Sequence, residues 1–280
     1  MVDGLLNNMN IGFVIQARMK STRLPHKVLM PLPFPDGKPV LSHILDAIGA
    51  EFGKNQITVA TSVNESNLIL EQFCEKLNIK CFRGSEHNVL SRFIRIQECE
   101  QYDHIVRLTA DNPIVDGQEL KRIVLWHIKE NNDYSNTVGL PLGMNFEIFK
   151  GQAIIDSQKY VQNQFEEEHV TPILKTHDCF KSGSLICDND LVHHRATIDT
   201  VNDFMQMNLI VQIGNSQKLR GLELIRYVGE KHPWVFEGNK FVFQKNGNSD
   251  INQELSSAID LLKKLEYNRT IEILERINRI

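Results

Sequence analysis

Ile11-Gly-Phe-Val-Ile-Gln-Ala17, running into Arg18-Met-Lys-Ser-Thr-Arg-Leu-Pro-His-Lys27, is a buried strand followed by a cationic loop. The first half is a short apolar run rich in β-branched residues, as expected of a strand covered on both faces. The second half is irregular and brings Arg18, Arg23 and Lys27 close together in the chain. Open α/β sheets bind ligands where such strands end, so function is expected there.

Outward from this segment, helical and extended patterns alternate. Pro39 opens a helix to Phe52 in which Val40, Ile44, Leu45 and Ile48 share a face. A strand follows over Gln56–Ser62, then a helix over Asn64–Leu77, a strand over Ile79–Phe82, a helix over Asn88–Tyr102 and a strand over His104–Leu108. This order predicts an α/β fold with a doubly wound, mostly parallel sheet.

The pattern weakens between Tyr134 and Phe149, where Gly139, Pro141 and Gly143 punctuate it, and helices follow near Gly151–Gln162 and Phe165–Thr176. Late strands are expected at Ser184–Cys187 and Arg195–Ile198, the second leading through Asp199-Thr-Val-Asn-Asp203 into a helix capped by Thr200. Beyond Asn246, Leu255, Ile259, Leu262 and Leu265, then Ile271, Leu274 and Ile277, mark amphipathic helices around a break at Tyr267–Asn268.

Hydrophobic residues make up 41% of the 280 residues, charged ones 24%, and the net charge is −4, the balance of an ordinary soluble globular protein. Without a Lys/Arg excess, nucleic acid is not expected as a partner. The cysteines are odd in number and form no Cys-x-x-Cys pair, so buried free thiols are expected rather than disulfides or a zinc knuckle. Met1–Asn10 lacks the features of a secretory signal and no long apolar run occurs, so a cytoplasmic address with no membrane contact is expected.

A nucleoside triphosphate carries about four negative charges, which cationic side chains or backbone N–H groups can offset. Neither G-x-x-x-x-G-K-[ST] nor G-x-G-x-x-G occurs, which sets aside P-loop kinases and dinucleotide-binding dehydrogenases. The Arg18–Lys27 loop fits the cationic solution. Asp111 follows an apolar strand and precedes Asn112-Pro113, while Asp199 ends another expected strand, so both carboxylates can converge at one sheet edge and suit Mg²⁺. The alternative for either is helix capping or turn formation. Asp188-Asn-Asp190 matches the D-x-D of metal-dependent glycosyltransferases but reads as a solvated turn. His193 and His194 are assigned no role, because neighbours on a strand point to opposite faces.

Gln16-Ala-Arg-x-x-Ser-Thr-Arg-Leu-Pro-x-Lys27 resembles the opening motif of the acylneuraminate and KDO type cytidylyltransferases, in particular their spore-coat-polysaccharide (SpsF-like) branch. The resemblance continues, in the family's order, at Arg83-Gly-Ser-Glu86 with Val89-Leu90, at Arg107-Leu-Thr-Ala-Asp-Asn-Pro113, at Glu168-His-Val-Thr-Pro172 and at Asp199-Thr-Val-Asn-Asp203. It implies a Rossmann-like nucleotidyltransferase domain over residues 1–245 and leaves 246–280 as a helical extension that docks or makes a homodimer. It also implies CTP as donor and Mg²⁺ on Asp111 and Asp199.

By the same resemblance, Arg18 and Lys27 hold the triphosphate and act with Asp111 in catalysis, Arg23 supports the loop, and Ala17 belongs to it. Thr61, Ser62, Gly84 and Ser85 then lie near base and ribose, and Asn145, Glu147, His169 and Thr171 face the acceptor. Asn145 stands where the family commonly has Asp, which leaves the acceptor open. The expected reaction is transfer of CMP to a small acidic sugar with release of pyrophosphate. The alternatives are a phosphorylated small-molecule acceptor, a silent nucleotide-binding module and a metal-dependent glycosyltransferase.

Overall fold

The computed structural model describes residues 9–187, 190–239, 251–264 and 266–277. The strands among them are β1 (Ile11–Gln16), β2 (Pro31–Leu32), β3 (Lys38–Pro39), β4 (Ile57–Ser62), β5 (Lys80–Gly84), β6 (His104–Thr109), β7 (Tyr134–Val138), β8 (Glu147–Lys150) and β9 (Ser182–Ile186). The helices are α1 (Val40–Phe52), α2 (Leu68–Lys76), α3 (Val89–Glu100), α4 (Gly117–Glu130), α5 (Gly151–Ser157), α6 (Gln164–His169), α7 (Pro172–Thr176), α8 (Val201–Gln217), α9 (Gly221–Lys231), α10 (Ile251–Lys264) and α11 (Asn268–Ile277).

β1 is buried from Ile11 to Ile15 and divides its side chains between two cores. Ile11, Phe13 and Ile15 join the apolar faces of α1, α4, α8 and α9, while Val14 joins α3 and α5 on the other side. That split is the period-two alternation of a central strand. The main sheet runs β5-β4-β1-β6-β8-β7-β9, and β2 pairs with β3 in a small hairpin. All neighbours in the main sheet are parallel except at β8, which runs antiparallel to both β6 and β7. The chain steps from β1 outward through β4 and β5, then returns to the other side of β1 as β6. The crevice between the carboxyl ends of β1 and β6 is therefore the topological switch point, where doubly wound sheets take their ligands.

Several expectations need correction. The weak stretch from Tyr134 to Phe149 contains two strands, β7 and β8, joined by a loop in which Gly139 has φ +97 and a Cβ would stand 2.2 Å from the Cys187 carbonyl oxygen. Only glycine fits there. The helix expected over Phe165–Thr176 is broken at Val170, whose φ 69 and ψ −52, with the Thr171 N–H donating to the His169 carbonyl at 2.8 Å, make a γ-turn.

Arg195–Ile198 is not a strand. It pairs with the Leu142 loop through one bridge, and the Ile198 N–H reaches the Asp111 carbonyl at 2.9 Å. His193 lies in a turn, so the strand argument for separating it from His194 fails: the two rings are 4.2 Å apart, and His194 stacks on Phe236. Asp188 and Asn189 lie outside the described residues, and Asp190 is an exposed partner of Arg226. The cysteines are free; Cys74 and Cys187 are buried as expected, but Cys99 and Cys179 are exposed and Cys81 is half-buried. Thr200 does cap α8, with Asp203 completing a capping box. The C-terminal helices α10 and α11 lie on either side of Tyr267 and pack against each other. No helix among the described residues is long and apolar enough to cross a membrane.

α4 and α9 escape the sequence patterns, and one carboxylate ties them together. Asp116 Oδ1 accepts the backbone N–H groups of Gln118 and Glu119, and its Oδ2 accepts that of Leu222 at 2.8 Å. Gly221 allows this approach, since a Cβ on it would meet Asp116 Oδ2 at 2.2 Å. Asp116→Ala removes caps from two helices and is expected to lower stability by about 2 kcal/mol. A urea midpoint unchanged in that variant would contradict the double-cap assignment.

Candidate active site

The carboxyl ends of β5, β4, β1 and β6 lie along one edge and deliver, in that order, Gly84 and Ser85, Thr61 and Ser62, the loop after Ala17, and Asp111. Backbone pairing carries past the strands, from the Ala17 N–H to the Ala60 carbonyl and from the Ala110 N–H to the Gln16 carbonyl, each 3.0 Å. The cationic loop is pinned from beneath. Met19 is buried and its N–H donates to Asn67 Oδ1 at 2.8 Å, while Asn67 Nδ2 donates to Ser62 Oγ at 2.7 Å. Ser62 thus holds the loop. Thr61 is fully buried with its hydroxyl unpaired, Gly84 is half-buried, and Ser85 is exposed. His26, at φ 63, turns the chain so that Lys27 points inward.

Lys27 is where the distant parts meet. Its Nζ donates to Asp111 Oδ2 at 2.7 Å, to the Ile198 carbonyl at 2.5 Å and to Asp199 Oδ1 at 3.2 Å, with its side chain only 8% exposed. Arg23 pairs with Asp199 Oδ1 at 3.0 Å, and Arg195 Nη2 with Asp199 Oδ2 at 2.9 Å. Arg195 also grips Asp203, which is fully buried and receives the N–H groups of Asp199 and Thr200 and the amide of Asn239. Burial alone would raise the Asp203 carboxyl, but Arg195 and these donors hold it below the usual carboxylate range. Three cations therefore face three carboxylates. Asp111 and Asp199 are not caps: Asp199 accepts from side chains, and Asp111 Oδ1 accepts from the Thr109 hydroxyl at 2.7 Å.

From Asp111 and Asp199 a cleft of about 1010 Å³ extends between β6, β8 and the 139–146 loop to Glu147 and Lys175. Asn145 lines it and closes the loop by donating to the Leu140 and Pro141 carbonyls. Glu147 is held by Arg107 and Lys175, each at 2.6 Å, and by the hydroxyls of Tyr134 and Thr171. Burial pushes its carboxyl up, yet Arg107 and then Lys175 outweigh burial and hold it down at about 2. The γ-turn at Val170 aims Thr171 at Glu147; His169, on the outer side of that turn, is exposed with its ring against Phe165.

A carboxyl depressed on folding stabilises the fold fully above its unfolded value near 4.5, and that contribution is lost as the pH falls through about 2. The shift corresponds to about 3 kcal/mol. Glu147→Gln is expected to be less stable than the parent at pH 7 and to converge with it between pH 5 and pH 2, read from urea midpoints across that range. A gap that stays constant with pH would remove Glu147 as the source.

Arg18 is exposed at the loop rim and has no hydrogen-bond or ion-pair partner among the described residues. Across from it, Arg92 of α3 is buried, donating to the Ser85 and Glu86 carbonyls. Burial, and next the like charge of Arg18, lower the Arg92 guanidinium below its ordinary value. Arg18, unpaired, and Arg92, bonded only to backbone carbonyls among the described residues, add positive charge that suits a polyanion at this rim. Sequence reading missed Arg92. The available signal was an arginine at a position that shares the buried face of Val89, Phe93 and Ile96.

The sequence profile of the cytidylyltransferases matches residues 13–271. The chain belongs to the cytidylyltransferase family. It is 33% identical over 223 residues to the spore coat polysaccharide biosynthesis protein SpsF of Bacillus subtilis, an alignment covering 77% of this chain and 92% of that one. An 8-amino-3,8-dideoxy-manno-octulosonate cytidylyltransferase of Shewanella amazonensis is 22% identical over 230 residues, covering 80% and 88%. Among solved structures, a cytidylyltransferase from Leptospira borgpetersenii superposes with a TM-score of 0.75 at 26% identity, covering 82% of this chain and 97% of that one.

In this cytidylyltransferase, Arg23, Lys27, Asp111 and Asp199 are in direct contact, and Asn145, Glu147 and Thr171 gather at the cleft. Arg18, Thr61, Ser62, Gly84 and Ser85 occupy the neighbouring strand ends, and His169 stands apart. The family match runs into the C-terminal helices, past the last motif quoted from the sequence.

Proposed function

We propose that this cytidylyltransferase moves CMP from CTP to a hydroxyl of a small acidic sugar, releases pyrophosphate, and uses Mg²⁺ on Asp111 and Asp199. The observation that carries this reading is the pair of carboxylates at the switch point, both within reach of one cation, at the head of a cleft with Arg107 and Lys175 along its length. The Lys27 ammonium stands in for that cation and tests the fit: Asp111 Oδ2 and Asp199 Oδ1 both turn toward it. No group of three or more His, Cys, Asp or Glu among the described residues could hold a metal, so two carboxylates would leave the other positions to phosphate oxygens and water, an arrangement that suits Mg²⁺.

When bound, Mg²⁺ supplies charge neutralisation at the α-phosphate and orients it. The acceptor hydroxyl oxygen bonds to the α-phosphorus as the bond to the bridging oxygen of pyrophosphate breaks, and the hydroxyl proton passes to solvent water. Arg18 and Arg92 would attract the departing pyrophosphate by their charge, and Arg23 ties the loop to Asp199. Glu147, ionised and held by four donors, is too weak a base to take the hydroxyl proton, so its work is to order Arg107 and Lys175.

Those two cations share one carboxylate, which leaves a local positive charge at the Glu147 end of the cleft and favours an anionic acceptor there. The Shewanella relative is, by name, a transferase to an octulosonate, itself a sugar acid, and the Bacillus relative is named for polysaccharide synthesis. The test is pyrophosphate release from each of the four ribonucleoside triphosphates with Mg²⁺, across panels of acidic sugars and phosphorylated small molecules. Release confined to CTP with an acidic sugar supports the reading, and release with a phosphorylated acceptor instead overturns the sugar assignment.

A further inference from the structure

Lys27 occupies an unusual position for a residue of a triphosphate-binding loop. All three of its ammonium protons have partners: Asp111 at 2.7 Å, Asp199 at 3.2 Å and the Ile198 carbonyl at 2.5 Å. None is left for a phosphate while it sits there. The two carboxylate oxygens it bridges are the same two that the proposed function gives to Mg²⁺. We propose that Lys27 and the divalent cation compete for one seat between Asp111 and Asp199, so that the metal enters when nucleotide draws Lys27 away. This inference rests on the reading that the two aspartates take a metal.

Charge balance supports it. Arg23, Lys27 and Arg195 already match Asp111, Asp199 and Asp203, and the cluster is largely shielded from solvent, where like charges repel most strongly. A dication added with Lys27 in place would leave the cluster strongly positive. A triphosphate brings the compensating negative charge and gives the ammonium a new partner. Rotation about the lysine's flexible four-carbon stem suffices for the move. Arg23 provides the contrast, because it pairs with Asp199 at a similar distance but does not touch Asp111 and is solvent-facing.

The experiment is Mn²⁺ binding without nucleotide, read from the electron paramagnetic resonance signal of the free ion, on the full chain. The parent is compared with Lys27→Met, Lys27→Gln, Arg23→Met, Asp111→Asn and Asp199→Asn, each checked for a folded circular dichroism spectrum. Both Lys27 variants are expected to bind Mn²⁺ at least about tenfold more tightly than the parent, and Arg23→Met to change the affinity less than about threefold. Using two Lys27 replacements keeps the test informative if one fails to fold. Equal affinity in parent and Lys27 variants, lost in the aspartate variants, overturns the competition and leaves the metal site standing. A gain in Arg23→Met as large as in Lys27→Met also overturns it, since a general charge effect then suffices. Failure of every form to bind Mn²⁺, with or without CTP, removes the metal reading and this inference together.

Discussion

Asp111→Asn is expected to lower pyrophosphate release about 10³-fold with the fold intact, the scale of losing one group that stabilises charge in the transition state. Asp111 follows β6 at the switch point, and Asp199 is brought to it across 88 positions of chain by Lys27, whose Nζ bonds to both. The asparagine keeps the shape and one acceptor oxygen, and Lys27 retains Asp199 and the Ile198 carbonyl, so the thermal midpoint should move little. A variant that keeps activity within tenfold of the parent at saturating Mg²⁺ would remove Asp111 from the chemistry.

Asp203→Ala is expected to be the most damaging single change to stability, by about 3–5 kcal/mol, because it strands a buried guanidinium. Asp203 is fully buried and accepts from Arg195 Nε at 2.7 Å, Arg195 Nη2 at 3.1 Å, the Thr200 N–H at 2.8 Å and Asn239 Nδ2 at 2.8 Å. For a chain of this size the loss corresponds to a fall in melting temperature of about 10 °C. Asp156→Ala, which removes an exposed pair with Lys159, serves as the control and should leave the midpoint in place. Since Asp203 also fixes the Asp199 backbone, activity should fall even below the melting range. Equal midpoints for the two variants would show that the Arg195 cluster is not a structural keystone.

Much of this was legible in the sequence because it is local. The β-branched run of β1, the helical spacing in α1 and the Thr200 cap each depend on neighbours in the chain, and all three appear as expected. Arg195–Ile198 misled because its composition suits a strand while its partner is a loop, so only one bridge forms at Leu142. β8 was missed because a four-residue strand between a glycine-punctuated loop and a helix carries too little alternation to register.

Within the candidate site, the residue types were readable and their contacts were not. Nothing near Lys27 in the chain indicates that its ammonium lies between carboxylates 84 and 172 positions away. Arg92 was hidden by its helix, whose buried face reads as core from its apolar members. The break at Val170 was also hidden, since a β-branched residue at positive φ contradicts local preference and persists only where tertiary contacts impose it.

Attack of an acceptor hydroxyl on the α-phosphorus of CTP fixes where each phosphorus atom of the donor ends up, which an isotopic label reads out. The enzyme is incubated with Mg²⁺, an acidic sugar that supports turnover, and CTP carrying ³²P at either the α or the γ position. The α label is expected in a product in which CMP is joined to the sugar, and the γ label in pyrophosphate. Appearance of the γ label in the sugar, or of the α label only in free CMP, would contradict it.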